Sequence, residues 1–375
     1  MKPVKHIIIP VFLNNLGCPA SGRCVFCDQA ASGGTPCGPD STESYLKGFI
    51  SGLEKENISK NEYSFEIAFY GGTFTALPRG VQESFFEAGR SAVSSAGEGS
   101  RGIDGKFEGF RVSTRPDFID IETLSFLKAN AVKTIEIGVE SFDDGVLQKA
   151  GRGYSAASAA YSCGLVKKSG FKFSLHLMCG LEGQSREVFL RDCASLAAAG
   201  PDYARIHPLC VMSGSRLGEI YKAGVFVPRP DSELIEETAY AMAFFELNGI
   251  KVIRAGILEN DKFRKEVLAG PAFPNLREIA ESLIHSTVFD FIRTKFERPS
   301  KILVETGGEK ILNYLVGYKK ENIKKNNDLL LEFKNKILYN NAKDAMPYIL
   351  ISAENNESAY VLTRPDVLKQ YINKF

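Results

Sequence analysis

The sequence predicts an α/β fold built on a parallel sheet, and three observations carry that reading. From residue 4 to about residue 255, short apolar runs rich in β-forming residues alternate with longer stretches of helical periodicity. Glycines close several of the helical stretches, at Gly170, Gly200 and Gly249, where a left-handed C-terminal cap fits. The unusual polar residues of the chain collect where the apolar runs end.

Six strands are expected in order: His6–Phe12, Phe65–Tyr70, Phe110–Thr114, Thr134–Gly138, Phe171–Met178 and Tyr203–Pro208. Lys251–Arg254 is a candidate seventh. The intervening stretches Ser41–Lys55, Pro78–Ser95, Ile121–Asn130, Asp144–Ser169, Ser185–Ala199 and Asp231–Asn248 carry apolar residues at helical spacing. Asp120 and Ser185 are suited to cap helix N-termini. A parallel connection needs a crossover, so six or seven βα units in a row give an open doubly wound sheet or a closed or partial barrel. In either, ligands bind at the C-terminal ends of the strands. After residue 270 a helical stretch, Pro274–Lys295, leads into a tail rich in Lys, Asn and Ile, where "KILVET", "DLLLEF" and "YILISAENNESAYVLT" suggest a small α+β appendage. The expected division is a core over residues 1–260 and an appendage over 261–375.

With 375 residues, 44% of them hydrophobic and 24% charged, the chain can bury a large core. Its net charge of +1 favours neither a nucleic-acid binder nor a membrane-surface protein, although a local basic patch is compatible with it. Two lysines precede the first apolar run, but Pro10 interrupts it and no small-residue cleavage site follows, so a signal peptide is not expected. No apolar run reaches the length of a membrane span, so no membrane partner is expected. A cytoplasmic location follows, in which the eight cysteines are reduced and suited to metal or cluster ligation.

Three cysteines fall in "LGCPASGRCVFCDQ", at Cys18, Cys24 and Cys27. They can be read as buried thiols, as a zinc site completed by Cys37, as a thioredoxin-like pair, or as three ligands of an iron–sulfur cluster. Three thiolates on a four-iron cluster leave one iron for a ligand that is not protein. The other strand ends carry further candidates. Gly71 and Gly72 in "FYGGTFTALP" permit a sharp turn and close backbone approach to a ligand. Ser113 and Arg115 in "RVSTRPD" project at the same mouth. Glu136 and Glu140 interrupt the apolar fourth strand "TIEIGVES", with Arg152 twelve residues beyond Glu140 as partner, or as half of a surface pair. His176 and His207 hold corresponding places on the fifth and sixth strands, although a lone buried histidine is more often a satisfied core residue. Cys163 and Cys193 read as packing residues, while Cys179 and Cys210 follow strands and could face the mouth.

Cys18, Cys24 and Cys27 followed by Tyr70-Gly71-Gly72-Thr73 resemble the radical S-adenosylmethionine (SAM) superfamily. The set "STRPD", "IEIGVES", "GRGYS" and "HLMCGLEGQ" is similar to the radical SAM core of the elongator tRNA acetyltransferase and its shorter bacterial relatives. "YGGTFT" and "GLEGQ" add kinship to oxygen-independent coproporphyrinogen III oxidase-like proteins. The resemblance covers roughly residues 4–255 and implies a partial (β/α)6 TIM-type barrel. It implies a four-iron, four-sulfur cluster on Cys18, Cys24 and Cys27, with the amino and carboxylate groups of SAM on the open iron. Phe26 would lie along the adenine, Gly71, Gly72 and Thr73 would cradle the methionyl amino group, and Ser113, Glu140, Arg152 and His176 would contact the ribose and carboxylate. The implied activity is reductive cleavage of SAM to a 5′-deoxyadenosyl radical, served by a flavodoxin- or ferredoxin-like electron donor. RNA, tRNA first, is the substrate class the resemblance suggests, with Arg111, Arg115, Arg205 and the lysines near Lys319–Lys325 as a basic rim. A tetrapyrrole-directed oxidase and a non-catalytic haem carrier are the alternatives from the second kinship. The chain departs from the common superfamily spacing by two extra residues between Cys18 and Cys24, carries His176 where coproporphyrinogen oxidases carry Asp, and has no acetyl-CoA-binding pattern after residue 255.

Overall fold

The computed structural model describes residues 5–13, 15–19, 24–28, 37–55, 63–99, 106–256, 261–296, 301–329, 331–335, 348–353 and 359–375. Its main sheet takes up the predicted strands: β1 (Lys5–Phe12), β2 (Tyr63–Tyr70), β3 (Phe107–Thr114), β4 (Val132–Glu140), β5 (Lys172–Cys179) and β6 (Tyr203–Pro208). A short strand, β7 (Val211–Met212), lies outside this sheet, and β8 (Lys251–Ala255) completes it beside β6. The order β1-β2-β3-β4-β5-β6-β8 follows the chain and every pairing is parallel. Laid flat, seven strands would hold their edges about 29 Å apart. Here Ile8, Pro10 and Phe12 of β1 line the same cavity as Arg254 of β8, so the sheet is curled into a half-barrel. The predicted seventh strand is therefore real, and the barrel has one strand more than the resemblance implied.

Helices join the strands: α1 (Pro39–Lys55), α2 (Arg79–Gly99), α3 (Ile121–Ala129), α4 (Asp144–Lys149), α5 (Ala156–Lys168), α6 (Arg186–Ala199), α7 (Arg216–Lys222), which packs on β7, and α8 (Asp231–Leu247). Asp120 and Ser185 cap α3 and α6 as expected, accepting from the Thr123 and Val188 amides. Gly200 ends α6 in the left-handed region at φ 64°, while Gly170 (φ 76°) and Gly249 (φ 73°) follow α5 and α8 in the same conformation. One predicted helix is two. The stretch Asp144–Ser169 breaks between α4 and α5, where Gly151 and Gly153 adopt φ 70° and 72°. Apolar residues keep helical spacing on both sides of the break, so periodicity reads through it; the backbone does not. Arg152 sits on that break, free of helical geometry.

The core beneath the first two crossovers is aromatic. Phe69, Phe74, Phe85, Phe86 and Phe110 are fully buried, with neighbouring ring centroids 5.0–6.1 Å apart. Each contributes about 1.5–3 kcal/mol by burial. Phe69 and Phe74 stack at 5.0 Å on either side of Tyr70-Gly71-Gly72-Thr73, so this cluster anchors the glycine turn.

Beyond β8, α9 (Asp261–Glu266) leads to β9 (Val267–Ala269), which pairs antiparallel with β7. The long α10 (Leu276–Lys295) packs on α8. The tail is α+β as expected: β10 (Ile302–Thr306), α11 (Glu309–Val316), α12 (Glu321–Lys325), β11 (Leu331–Asn335), β12 (Tyr348–Ala353), β13 (Ala359–Thr363) and α13 (Arg364–Ile372). Its sheet has the order β11-β10-β12-β13, parallel only between β10 and β11. Arg364, in the first turn of α13, ties the tail to α8 and α10 through Glu246 and Glu281. Among the described residues no helix is long and apolar enough to cross a membrane.

Candidate active site

The two faces of the half-barrel differ sharply. Ile9, Val11, Phe65, Ile67, Phe69, Phe110, Val112, Ile135, Ile137, Phe173, Leu175, Ala204 and Ile206 point outward into the helix layer and are fully buried or nearly so. On β2 to β6 their inward neighbours include Glu66 and Tyr70, Arg111 and Ser113, Thr134 and Glu136, Ser174 and His176, and Arg205 and His207, whereas β1 turns the apolar Ile8, Pro10 and Phe12 inward. Strand alternation thus gives an apolar outer core and a polar lumen. The lumen opens into a cavity of about 670 Å³, within the range of small-molecule sites. All eleven residues singled out from the sequence line it: Cys18, Cys24, Phe26, Cys27, Gly71, Gly72, Thr73, Ser113, Glu140, Arg152 and His176.

The cysteine loop is held by backbone. The amides of Leu13 and Asn15 donate to the carbonyls of Tyr70 and Gly71, and the Thr73 amide donates back to Leu16. Farther along, the Val25 amide donates to Ala150 at the end of α4, and the Leu217 amide in α7 donates to Val25. The glycines make the first contact possible. A Cβ on Gly72 would lie 2.3 Å from the Leu16 carbonyl oxygen, and one on Gly17 would lie 2.1 Å from that of Thr73. The glycine pair was expected to face a ligand; Gly72 is also required by the neighbouring loop. Gly72→Ala is therefore expected to cost about 1–3 kcal/mol through overpacking and to displace the cysteines. Urea unfolding together with iron content after reconstitution checks this, and unchanged values in both would refute it.

Glu140 and Arg152 form the next wall. Glu140 is at the C-terminal end of β4 with φ 68°, a left-handed conformation that costs a residue with a Cβ about 1–2 kcal/mol. Such strain is kept where surrounding structure holds a side chain in place for use. Its carboxylate lies 3.9 Å from Arg152 Nη2, and with exposures of 8% and 4% the two are a buried pair rather than a surface one. Arg152 also donates from Nη1 to Cys24 Sγ at 2.8 Å, from Nε to Tyr154 Oη at 2.8 Å, and from Nη2 to the Gly138 carbonyl. Burial alone would lower its pKa, but Cys24, Tyr154 and Glu140 together raise it well above the usual value. Arg115, clamped to Asp117 at 2.8–2.9 Å, donates to the Arg152 carbonyl. Thr73 Oγ1 lies 3.5 Å from Cys18 Sγ.

Glu136 is the hub of the lumen. Its Oε1 accepts from Tyr70 Oη (2.8 Å), Arg111 Nη1 (2.8 Å) and Arg205 Nη2 (3.0 Å), and its Oε2 meets His176 Nε2 at 3.0 Å. Arg111 in turn holds Glu66 at 2.7–2.9 Å. Burial pushes the Glu136 carboxyl up, but Arg205, His176 and Arg111 outweigh it and hold the group well below the carboxylate range. The expected basic rim is corrected here. Arg111 and Arg205 are inside the barrel in this network, and Arg115 is committed to Asp117. His176 is neither lone nor exposed: it couples Glu136 to the cavity.

Of the other cysteines, Cys163 and Cys193 pack in the core as expected. Cys210 lines the cavity, whereas Cys179 turns outward to the Leu234 carbonyl and Thr238 of α8. Cys37 belongs to the hydrophobic core, its amide bonded to the Phe12 carbonyl. Sequence reading did not single out Tyr154 or Arg254 as candidate site residues, took Tyr70 only as the lead of the glycine motif, and put Arg205 on a rim rather than in the lumen. The period-two run Tyr203, Arg205, His207 carried a signal, because three polar residues on one face of a buried strand imply a polar lumen.

The donor set fits an iron–sulfur cluster better than a single ion. A zinc ion at about 2.3 Å from each ligand needs its sulfurs nearly in contact. Among the described residues no three Cys, His, Asp or Glu side chains converge that tightly. A four-iron cluster holds its thiolates apart at separate corners, and Cys18, Cys24 and Cys27 all line the one cavity.

Two family profiles match the sequence: the radical SAM superfamily over residues 16–195, and the radical SAM C-terminal domain over residues 201–285. A tRNA uridine(34) acetyltransferase from Methanocaldococcus infernus is 25% identical over 308 residues, covering 74% of this chain and 57% of that protein. Elongator complex protein 3 of Mus musculus is 30% identical over 228 residues, covering 57% of this chain and 41% of the relative. The chain thus spans little more than half the length of the first relative and less of the second. The solved structure of archaeal Methanocaldococcus infernus Elp3 with an N-terminal deletion superposes over 94% of this chain and 75% of that one, with a TM-score of 0.58 and 19% sequence identity. That likeness establishes a common fold.

Proposed function

From the premise that this chain belongs to the radical SAM superfamily and is an enzyme, we propose that it binds a four-iron, four-sulfur cluster on Cys18, Cys24 and Cys27 and reductively cleaves SAM to modify an RNA, tRNA first. One observation supports this above the rest: three cysteines and eight further residues, drawn from the loops after β1, β2 and α4 and from within β3, β4 and β5, line one cavity. The RNA reading draws on the relatives named as tRNA uridine acetyltransferase and elongator protein 3. Their acetyl transfer is not carried over to a chain that spans part of their length.

When bound, the cluster supplies the electron that splits SAM into methionine and a 5′-deoxyadenosyl radical. The chain's own residues position the reactants. Arg152 brings positive charge against Cys24 and, held by Gly138 and Tyr154, aligns Glu140 at the cavity wall. Glu140 and Ser113 are suited to the ribose hydroxyls, His176 to the carboxylate side of SAM, and Phe26 to the adenine face. Thr73 and the Gly71–Gly72 main chain offer polar groups to the methionyl amine beside Cys18. A flavodoxin- or ferredoxin-like donor would supply the electron, in the cytoplasm. We place the catalytic core at residues 1–260 and an appendage at 261–375.

The test is anaerobic reconstitution followed by reduction with SAM, alone and with bulk tRNA. About four irons per chain and 5′-deoxyadenosine are the expected result, with turnover stimulated by tRNA. A zinc-loaded, iron-free product would overturn the cluster. A cluster that binds SAM without forming 5′-deoxyadenosine would identify a carrier instead, and stimulation by porphyrin precursors rather than tRNA would redirect the substrate.

A further inference from the structure

The charges facing the lumen do not all pair with one another. Arg111, Arg205 and Arg254 extend from β3, β6 and β8, against Glu66 on β2 and Glu136 on β4. Glu66 is taken by Arg111, and Glu136 is shared among Arg111, Arg205, His176 and Tyr70. Glu140 is matched by Arg152 and Arg115 by Asp117, and Asp28, which also lines the cavity, forms no ion pair with Arg254. Arg254 is left over: among the described residues no carboxylate forms an ion pair with it, and no hydrogen bond satisfies its guanidinium.

Its placement makes the surplus costly. Arg254 stands directly opposite Arg205 across the β6–β8 pairing, on the same face, and like charges so placed repel. Burial and the Arg205 charge both press its pKa downward, against smaller opposing effects of Tyr70 and Glu136. Two residues beyond Arg205 on the same face, His207 Nε2 is buried without a hydrogen-bond partner, as is Arg205 Nε. Buried donors are normally satisfied, yet Arg205 Nε and His207 Nε2 lack a partner beside the part-buried Arg254 guanidinium. His207 stays neutral because burial and the nearby His176, Arg205 and Arg254 oppose its protonation; a neutral imidazole still offers one N–H.

We propose that this end of the cavity, on β6 and β8, is an oxyanion subsite in which Arg254, with Arg205 and His207, holds a carboxylate or phosphate group of the substrate. SAM as a whole does not bring a net counter-charge. It carries a sulfonium and an ammonium against a single carboxylate, and so adds positive charge. His207 lies 5.6 Å, ring centroid to centroid, from His176, so the subsite adjoins the place proposed for SAM, and SAM affinity is measured beside anion affinity to tell the two apart. The word substrate rests on the function proposed above; the anion binding itself does not.

The test measures anion binding by calorimetry on the full chain, with and without reconstituted iron, at constant ionic strength set with chloride so that screening is equal. Inorganic phosphate and acetate are the probes, and each distinguishes one source of the oxyanion. Saturable binding of at least one is expected, weakened roughly 10- to 100-fold in Arg254→Met and restored in part in Arg254→Lys. The lysine variant also guards against loss by misfolding, since it keeps the charge. Equal affinity in Arg254→Met and wild type would overturn the subsite, as would no saturable binding of either probe. Loss of SAM affinity together with the anion in Arg254→Met would move Arg254 into the SAM site and also overturn it. Should the chain take up no iron or SAM yet bind the anion through Arg254, the enzyme assignment fails and the subsite stands.

Discussion

Cys24→Ala is expected to abolish iron incorporation and 5′-deoxyadenosine formation together, while the barrel remains folded. Cys24 is part-exposed on a loop, so little core packing is lost. Arg152 gives up one acceptor but keeps the Gly138 carbonyl, Tyr154 and Glu140, so its charge is not stranded. Only the ligand set changes, from three thiolates to two. Iron per chain, visible absorbance and the urea midpoint measure the three consequences separately. Cys37→Ala is the control, because Cys37 lies in the core and was the fourth ligand of the zinc reading. Retained iron in Cys24→Ala, or iron lost only in Cys37→Ala, would remove the cysteine triad from the site.

Glu136→Gln is expected to cost about 3–5 kcal/mol of folding stability. The carboxylate is fully buried and is the common partner of Arg111, Arg205 and His176, and an amide leaves those cations without their counter-charge. The pH dependence follows from the lowered pKa. A carboxyl held below its unfolded value of 4.5 stabilises the fold fully above that value, and this contribution is lost progressively as pH falls below it. Wild type should therefore lose urea resistance below pH 4.5 more steeply than Glu136→Gln. Buried Asp192 and Glu237 have raised pKa values and act in the opposite sense, and the comparison cancels them because both proteins contain them. Parallel acid profiles would show that Glu136 is not the hub of the lumen.

The strands of the barrel were legible because local chemistry writes them directly. A β-rich apolar run of six to eight residues has few alternatives, and Asp120, Ser185 and Gly200 mark helix ends by hydrogen bonds made within a few residues. The break between α4 and α5 was not legible from periodicity, since both helices keep apolar spacing; Gly151 and Gly153 were the available signal. That the candidate residues on successive strands share one cavity was legible for a topological reason. Parallel βα units bring every strand's C-terminal end to one side, so Cys18, Gly71, Ser113, Glu140 and His176 had to meet if the sheet curled. Their exact partners were not. Arg111 reads as a candidate surface base in sequence, and only the alternation of β3 against Glu66 and Glu136 turns it into an interior ion-pair member.

The sequence by itself determined the order of elements, the polar–apolar alternation of the strands and the three thiols ahead of the glycine pair, because each depends on residues close together in the chain. Tertiary structure alone decided which edges of the sheet approach each other, that Gly72 must admit Leu16, and that Glu136 is shared among several donors while, among the described residues, Arg254 has no carboxylate partner. Those outcomes depend on the curl of the sheet. Curl brings charges from β2, β3, β4, β6 and β8 into one enclosed volume, where burial makes their balance count.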